Sequence, residues 1–246
     1  MCGIAGFVND MPIDVKCPVL QRMTDMIAHR GPDSEGHYID EHAALGHRRL
    51  SIIDLGGGQQ PIYNEDGSKV ITFNGEIYNY QTLREELIAA GHTFTTKSDT
   101  EVLLHGYEQW GVDLLQRVRG MFTFVIWDKN KQELFGARDH FGIKPFYYAK
   151  MNGTFMYASE IKSLLRHPDF VKELNAEALK PYMTFQYPAI GETFFKGVYK
   201  LPEGHYFTYR DGKMDIHRYY DEDFREGKQK LGELVNSIDQ TVCDSV

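Results

Sequence analysis

Short apolar or alternating runs, each broken by Gly, Asn or Asp, constrain this chain more than any other feature of it. Their lengths suit strands, and they predict strands at Gly3–Val8, Ala44–Arg48, Lys69–Phe73, Met121–Asp128, Glu133–Arg138, Phe146–Lys150, Thr154–Ser159, His205–Arg210 and Lys213–Tyr219. Asn152-Gly153 and Asp211-Gly212 each join two runs, and such dipeptides supply the positive φ angles of tight hairpins. Asn152-Gly153-Thr154 is also a glycosylation sequon, read here as a turn. Helical spacing appears at Pro18–His29, Tyr80–Ala90, Ser98–Trp110, Asp113–Val118, Ser159–Arg166 and Asn175–Met183. Ser98 or Asp99 can cap the third, with Glu101 three residues after Ser98 as in a capping box. Antiparallel strands with interspersed helices give an α+β layered domain.

Composition decides what such a domain can be. With 42% hydrophobic residues the 246-residue chain can bury a sizeable core. Its 27 Lys and Arg against 35 Asp and Glu leave a net charge of −8 with the signs interspersed, which argues against nucleic-acid binding. No apolar run is long enough for a membrane span, and the start MCGIAGFVND lacks the basic flank of a secretory signal. Cys2, Cys17 and Cys243 are too scattered for a disulfide framework or a zinc site, so a reducing cytoplasm is the expected setting. His29, His37, His42 and His47 lack the i, i+4 pairing that metal sites show, and no metal is expected. Gly56-Gly57-Gly58 has no Lys-Ser/Thr after it and reads as a turn.

Four places could carry chemistry. Cys2, once Met1 is removed, would hold a thiol and a free α-amine on one residue, a nucleophile with its own base; alternatively it simply starts a strand. Asn74-Gly75-Glu76 at the end of an apolar strand could aim an amide and a backbone N–H at one oxygen, or merely mark a turn. Arg49 could fork onto a carboxylate or stay solvated. Asp99 could pair with an ammonium group, cap its helix, or do both.

The segments MCGIAGF, HRGPDSEG, HRRLSIIDL, QPIYNEDG, FNGEIYNY, SDTEVLLHGYEQWG, GMFTFVIWD, ARDHFGIKPFYY and ASEIKSLL follow one another in order. Together they resemble class II glutamine amidotransferases, and within them the asparagine synthetases, from Cys2 to about Tyr220. The resemblance implies an N-terminal nucleophile hydrolase fold, a four-layer αββα sandwich of two antiparallel sheets between helical layers. It implies Cys2 as nucleophile, Asn74 and Gly75 as the oxyanion hole, Arg49 on the α-carboxylate of L-glutamine and Asp99 on its α-ammonium. Leu50, Ser51, Ile52, Ile53 and Glu76 would line the pocket, partly through backbone groups. Glutamine hydrolysis would need no cofactor; ATP and Mg would serve a synthetase domain that would use the ammonia. A glutaminase with another ammonia acceptor, and a non-catalytic domain of the same fold, are the alternatives. Phe146 stands where the family more often has Leu.

From about Glu226 the pattern changes. Leu231, Leu234, Val235, Ile238 and Val242 form one apolar stripe of a helix. Residues 2–220 are therefore expected to form the glutaminase domain, and 221–246 a linker and the first helix of a synthetase domain. Without that domain the stripe would be exposed, fold back, or pair with a second copy as a homodimer.

Overall fold

The computed structural model describes residues 2–52, 54, 56–187, 191–224, 227 and 229–245. Its strands are β1 (Gly3–Val8), β2 (Ser34–Ile39), β3 (Ala43–Arg49), β4 (Ile62–Tyr63), β5 (Lys69–Ile77), β6 (Gly120–Asp128), β7 (Glu133–Arg138), β8 (Tyr147–Met151), β9 (Thr154–Ala158), β10 (Val198–Lys200), β11 (His205–Arg210) and β12 (Lys213–Arg218). They form two antiparallel six-stranded sheets, ordered β10-β8-β9-β1-β3-β2 and β12-β11-β7-β6-β5-β4. The helices are α1 (Ile13–Asp25), α2 (Tyr80–Ala89), α3 (Asp99–Trp110), α4 (Ile161–Leu164), α5 (Leu179–Phe185) and α6 (Leu231–Ser245).

The runs read as strands because both faces of each sheet are covered. Along β6, Phe122, Phe124 and Ile126 pack towards α2 and α3, where Leu83, Leu87, Val102 and Leu103 meet them. The alternate residues Val125 and Trp127, with Phe207 of β11 on the same face, meet Ile4, Leu45 and Phe155 of the other sheet. The outer face of the first sheet buries Ala5, Phe7 and Met156 under Val19, Leu20 and Met23 of α1 and Leu164 of α4. Burial of each large side chain contributes about 1.5–3 kcal/mol. The layers therefore run helix, sheet, sheet, helix, as the resemblance implied. Phe146 is fully buried and stacks on Tyr157 with ring centroids 5.6 Å apart.

Both hairpin turns form as expected, with positive φ at Asn152, Gly153, Asp211 and Gly212. Other boundaries moved. α1 begins at Ile13, directly after Pro12, and carries Pro18 inside it, so Pro18 is not its first residue. Asp113–Val118 is a 3₁₀ turn over Gly111–Gln116. Ser98 caps α3 by accepting from the Thr100 N–H, but Glu101 does not close a capping box. Its oxygens take the N–H and hydroxyl groups of Thr95 and Thr96 instead. Every described residue of α6 is exposed, its apolar stripe included. No described helix is long and apolar enough to cross a membrane.

Candidate active site

The free edge of β5 builds the site. β4 pairs only with Val70 and Ile71, which leaves the rest of that edge without a strand neighbour. β6 covers the other edge, with Phe73 opposite Phe124, Gly75 opposite Phe122 and Ile77 opposite Gly120. Phe122 spends its N–H and C=O on Asp139, so the Gly75–Phe122 pair is of the non-hydrogen-bonded kind. The main-chain groups of Phe73, Gly75 and Ile77 therefore point away from β6. The outer two are occupied: the Phe73 N–H donates to Gln60 Oε1 at 2.6 Å and the Ile77 N–H to Asp99 Oδ2 at 3.0 Å. Between them the Gly75 N–H faces a cavity of about 100 Å³. At roughly 10–15 Å³ per water, that is the room of one amino acid.

The same cavity is lined by Cys2, Arg49, Leu50, Ile52, Asn74, Glu76 and Asp99. The Asn74 amide nitrogen is buried and meets no acceptor among the described residues. An orphaned buried donor is costly, and here it lies one residue from the Gly75 N–H. Asn74-Gly75 lies inside β5, not at its end. A Cβ at Gly75 would stand 2.2 Å from the Met121 carbonyl oxygen, so the neighbouring strand requires the glycine; the sequence had suggested close approach of a ligand.

Cys2 sits immediately before β1, its sulfur 3.4 Å from the Leu50 N–H. Burial raises the thiol pKa, while the Leu50 N–H and the Arg49 charge pull it back. The Arg30 Nε–H donates to the Cys2 carbonyl at 3.0 Å and fixes the start of the strand. Arg49, at the end of β3, is 6% exposed and donates to the Asp54 carbonyl at 2.7 Å. Burial pushes the Asp99 carboxyl up to about 6. Ile52 lines the cavity while two-thirds exposed, which puts it at the mouth. Ser51 is not among the lining residues, and its N–H donates to Asp33. Ile53 lies outside the described residues.

Other residues that line the cavity, or brace its wall from behind as His47 does, had no signal in the sequence. Gln60 stands in for the missing strand partner of β5, and its amide also donates to Thr100 Oγ1 at 3.2 Å. His47, fully buried and driven by burial to a pKa of about 3, holds the Phe73 carbonyl at 3.0 Å through Nε2. Lys144 lines the cavity at 4% exposure, its pKa lowered by burial and by Arg30. Gly58, read only as part of a turn, also lines it.

Residues 1–220 match the family described as the glutamine amidotransferase domain. The whole chain aligns with asparagine synthetase [glutamine-hydrolyzing] 1 of Bacillus subtilis (strain 168) at 44% identity, covering 39% of that protein. It also aligns along its full length with amidase chry2 of Gibberella zeae, at 37% identity and again 39% of the relative. The chain thus spans about two-fifths of the length of these relatives. Among solved structures, a glutamine phosphoribosylpyrophosphate amidotransferase from B. subtilis superposes with a TM-score of 0.66 at 18% identity, over 90% of this chain and 50% of that one. That likeness shows the shared fold.

Proposed function

The chain belongs to the glutamine amidotransferase domain family, and from that premise we propose that it hydrolyses L-glutamine to glutamate and ammonia with Cys2 as nucleophile. Removal of Met1 gives Cys2 an α-amine of pKa about 7.7–8, suited to take the thiol proton at neutral pH. The sulfur attacks the side-chain amide carbon, and the carbonyl electron pair moves onto oxygen. The Asn74 amide and the Gly75 N–H stabilise that oxyanion. Collapse breaks the C–N bond, the amine returns its proton to the leaving nitrogen, and ammonia departs. Water then cleaves the thioester, releasing glutamate and restoring the thiol.

Arg49 holds the substrate α-carboxylate and Asp99 its α-ammonium. Leu50, Ile52 and Glu76 supply the remaining contacts, partly through backbone groups. One observation carries this reading: two donors on adjacent residues, one of them orphaned and buried, share an amino-acid-sized cavity with a thiol, a buried guanidinium and a buried carboxylate. The step needs no cofactor. Glutamate release in chelator-containing, nucleotide-free buffer should equal that in untreated buffer; a requirement for metal or nucleotide would remove the Cys2 mechanism.

Residues 2–220 are the glutaminase unit in this reading, and 221–246 lead into a synthetase domain. There ATP and Mg would activate aspartate and the ammonia would convert it to asparagine, in the cytoplasm. The likeness to amidase chry2 favours a second reading in which the same glutaminase feeds another acceptor.

A further inference from the structure

Away from the cavity, Glu65, His92, His105 and Glu108 place one ligand-capable atom each within 4.8 Å of all the others. We propose that these four side chains form a binding site for a divalent first-row transition ion of the zinc class, a clip that ties the β4–β5 turn and the segment before α3 to α3 itself.

Two of the three spacings within the cluster are too long for good hydrogen bonds and suit an ion, while the shortest also serves as a hydrogen bond. His105 Nδ1 lies 3.1 Å from Glu108 Oε2 and 3.5 Å from Glu65 Oε2, and His92 Nδ1 lies 3.5 Å from Glu65 Oε1. A contact of 3.5 Å is long for a hydrogen bond. Four ligands about 2.0–2.2 Å from a tetrahedral centre stand about 3.3–3.6 Å apart, the edge these pairs approach. Two imidazoles with two carboxylates form a donor set suited to zinc and its neighbours, and the two negative charges, one of them shared with Lys69 Nζ at 3.4 Å from Glu108 Oε1, offset most of the ion's charge.

The outer ring of contacts is also the kind that metal ligands have. His92 Nε2 donates to Gln109 Oε1 at 3.2 Å, which leaves the Nδ1 lone pair facing the cluster. His105, 1% exposed, turns Nε2 towards Glu101 Oε1 at 3.7 Å, and that nitrogen has no hydrogen-bond partner among the described residues. Glu101 is itself locked by Thr95 and Thr96, so a small shift of the ring would complete a carboxylate–histidine–metal arrangement. The other oxygen of Glu108 receives Asn64 Nδ2 at 2.7 Å, and Glu65 Oε1 receives the Thr93 N–H at 3.1 Å. A cavity of about 350 Å³ opens onto Glu65 and His105 and gives the ion a way in. The ligands come from three separate segments, so no short spacing motif marks them in the sequence. They lie apart from the Cys2 cavity, and the site holds whether or not the chain hydrolyses glutamine.

The test is calorimetric titration of zinc chloride into the chelator-treated, thiol-alkylated 246-residue chain, beside variants Glu65→Gln, at an exposed position, and His92→Gln, at a half-buried one. We expect one ion per chain with micromolar affinity or better, a raised melting temperature with zinc, and at least a hundredfold weaker binding in each variant with circular dichroism unchanged. Failure to bind zinc, or binding that both variants retain, overturns the site and leaves His105 as a protonated ring clamped by its carboxylates.

Discussion

Asp99 and Glu101 stand two residues apart on the first turn of α3, 5% and 1% exposed, yet their carboxyls are driven in opposite directions. Burial pushes both upward. Asp99 ends near 6, because burial outweighs the hydrogen bonds it accepts, from the Ile77 N–H at 3.0 Å, a long one from Ser98 at 3.4 Å and the first backbone N–H groups of its own helix. In Glu101 burial is overridden: His105 and four donors from Thr95 and Thr96, at 2.6–2.9 Å, bring it down to about 2. One turn of one helix thus holds a carboxylate that the fold satisfies and a carboxylate that it leaves short. Together with the orphaned Asn74 amide, the second kind defines a surface waiting for a zwitterionic ligand, and the first defines structure.

The sharpest way to break this contrast is at the donor. Asn74→Ala should lower kcat for glutamate release by roughly 10²–10³ with KM little changed, since the amide meets its partner only as charge develops on oxygen. An effect confined to KM would move Asn74 from the oxyanion to ground-state binding.

The two carboxylates should then respond oppositely to neutralisation. Asp99→Asn should cut kcat/KM by about 30-fold or more through loss of ammonium pairing, while raising thermal stability by on the order of 1–3 kcal/mol at pH 7. The sign follows from linkage: a carboxyl raised from 3.8 to about 6 on folding favours the folded state below 3.8, and that contribution is lost as pH rises through 6. The stability gain of Asp99→Asn should therefore vanish below about pH 4, and wild-type kcat/KM, already falling below the α-amine pKa of about 7.7–8, should steepen by a further tenfold per unit below about pH 6. Glu101→Gln should cost on the order of 1–3 kcal/mol at neutral pH, because the contribution of a depressed carboxyl is present above its unfolded value and lost as pH falls through about 2. Denaturation midpoints across this pH range check the two stabilities, and initial rates at low glutamine check the kcat/KM profile. Equal signs for the two variants would erase the distinction.

The smallest effect belongs to α6. Leu234, Val235, Ile238 and Val242 lie open at 41–56% exposure, a stripe unfavourable in water at roughly 25 cal/mol per Å². Ending the chain at residue 226 should leave the glutaminase rate unchanged and abolish any self-association seen by solution mass. Loss of folding or rate would place these residues inside the glutaminase unit.

What was legible in the sequence follows the same division between satisfied interior and unfinished edge. Strands buried on both faces, such as β5, β6 and β7, announced themselves through unbroken apolar runs. The three strands that escaped, β2, β4 and β10, all lie at sheet edges, where half the surface need not be apolar. β12 is also an edge strand, and only its Asp211-Gly212 turn gave it away. Cys2, Arg49, Asn74, Gly75 and Asp99 were legible as residues and do meet in one cavity, but the direction of the Gly75 N–H depends on the register with β6, which no spacing encodes. Gln60 and His47 were invisible for a related reason: they act on the β5 main chain from distant segments.

Intact mass and glutamate release, measured on one sample of the chain and one of Cys2→Ala, test the central claim most directly. The expected result is a mass lacking Met1 and steady glutamate production in the parent chain, with no turnover in Cys2→Ala although its circular dichroism and melting are retained. Appreciable hydrolysis by the folded Cys2→Ala chain would contradict the nucleophile assignment, and with it the reading of the whole cavity.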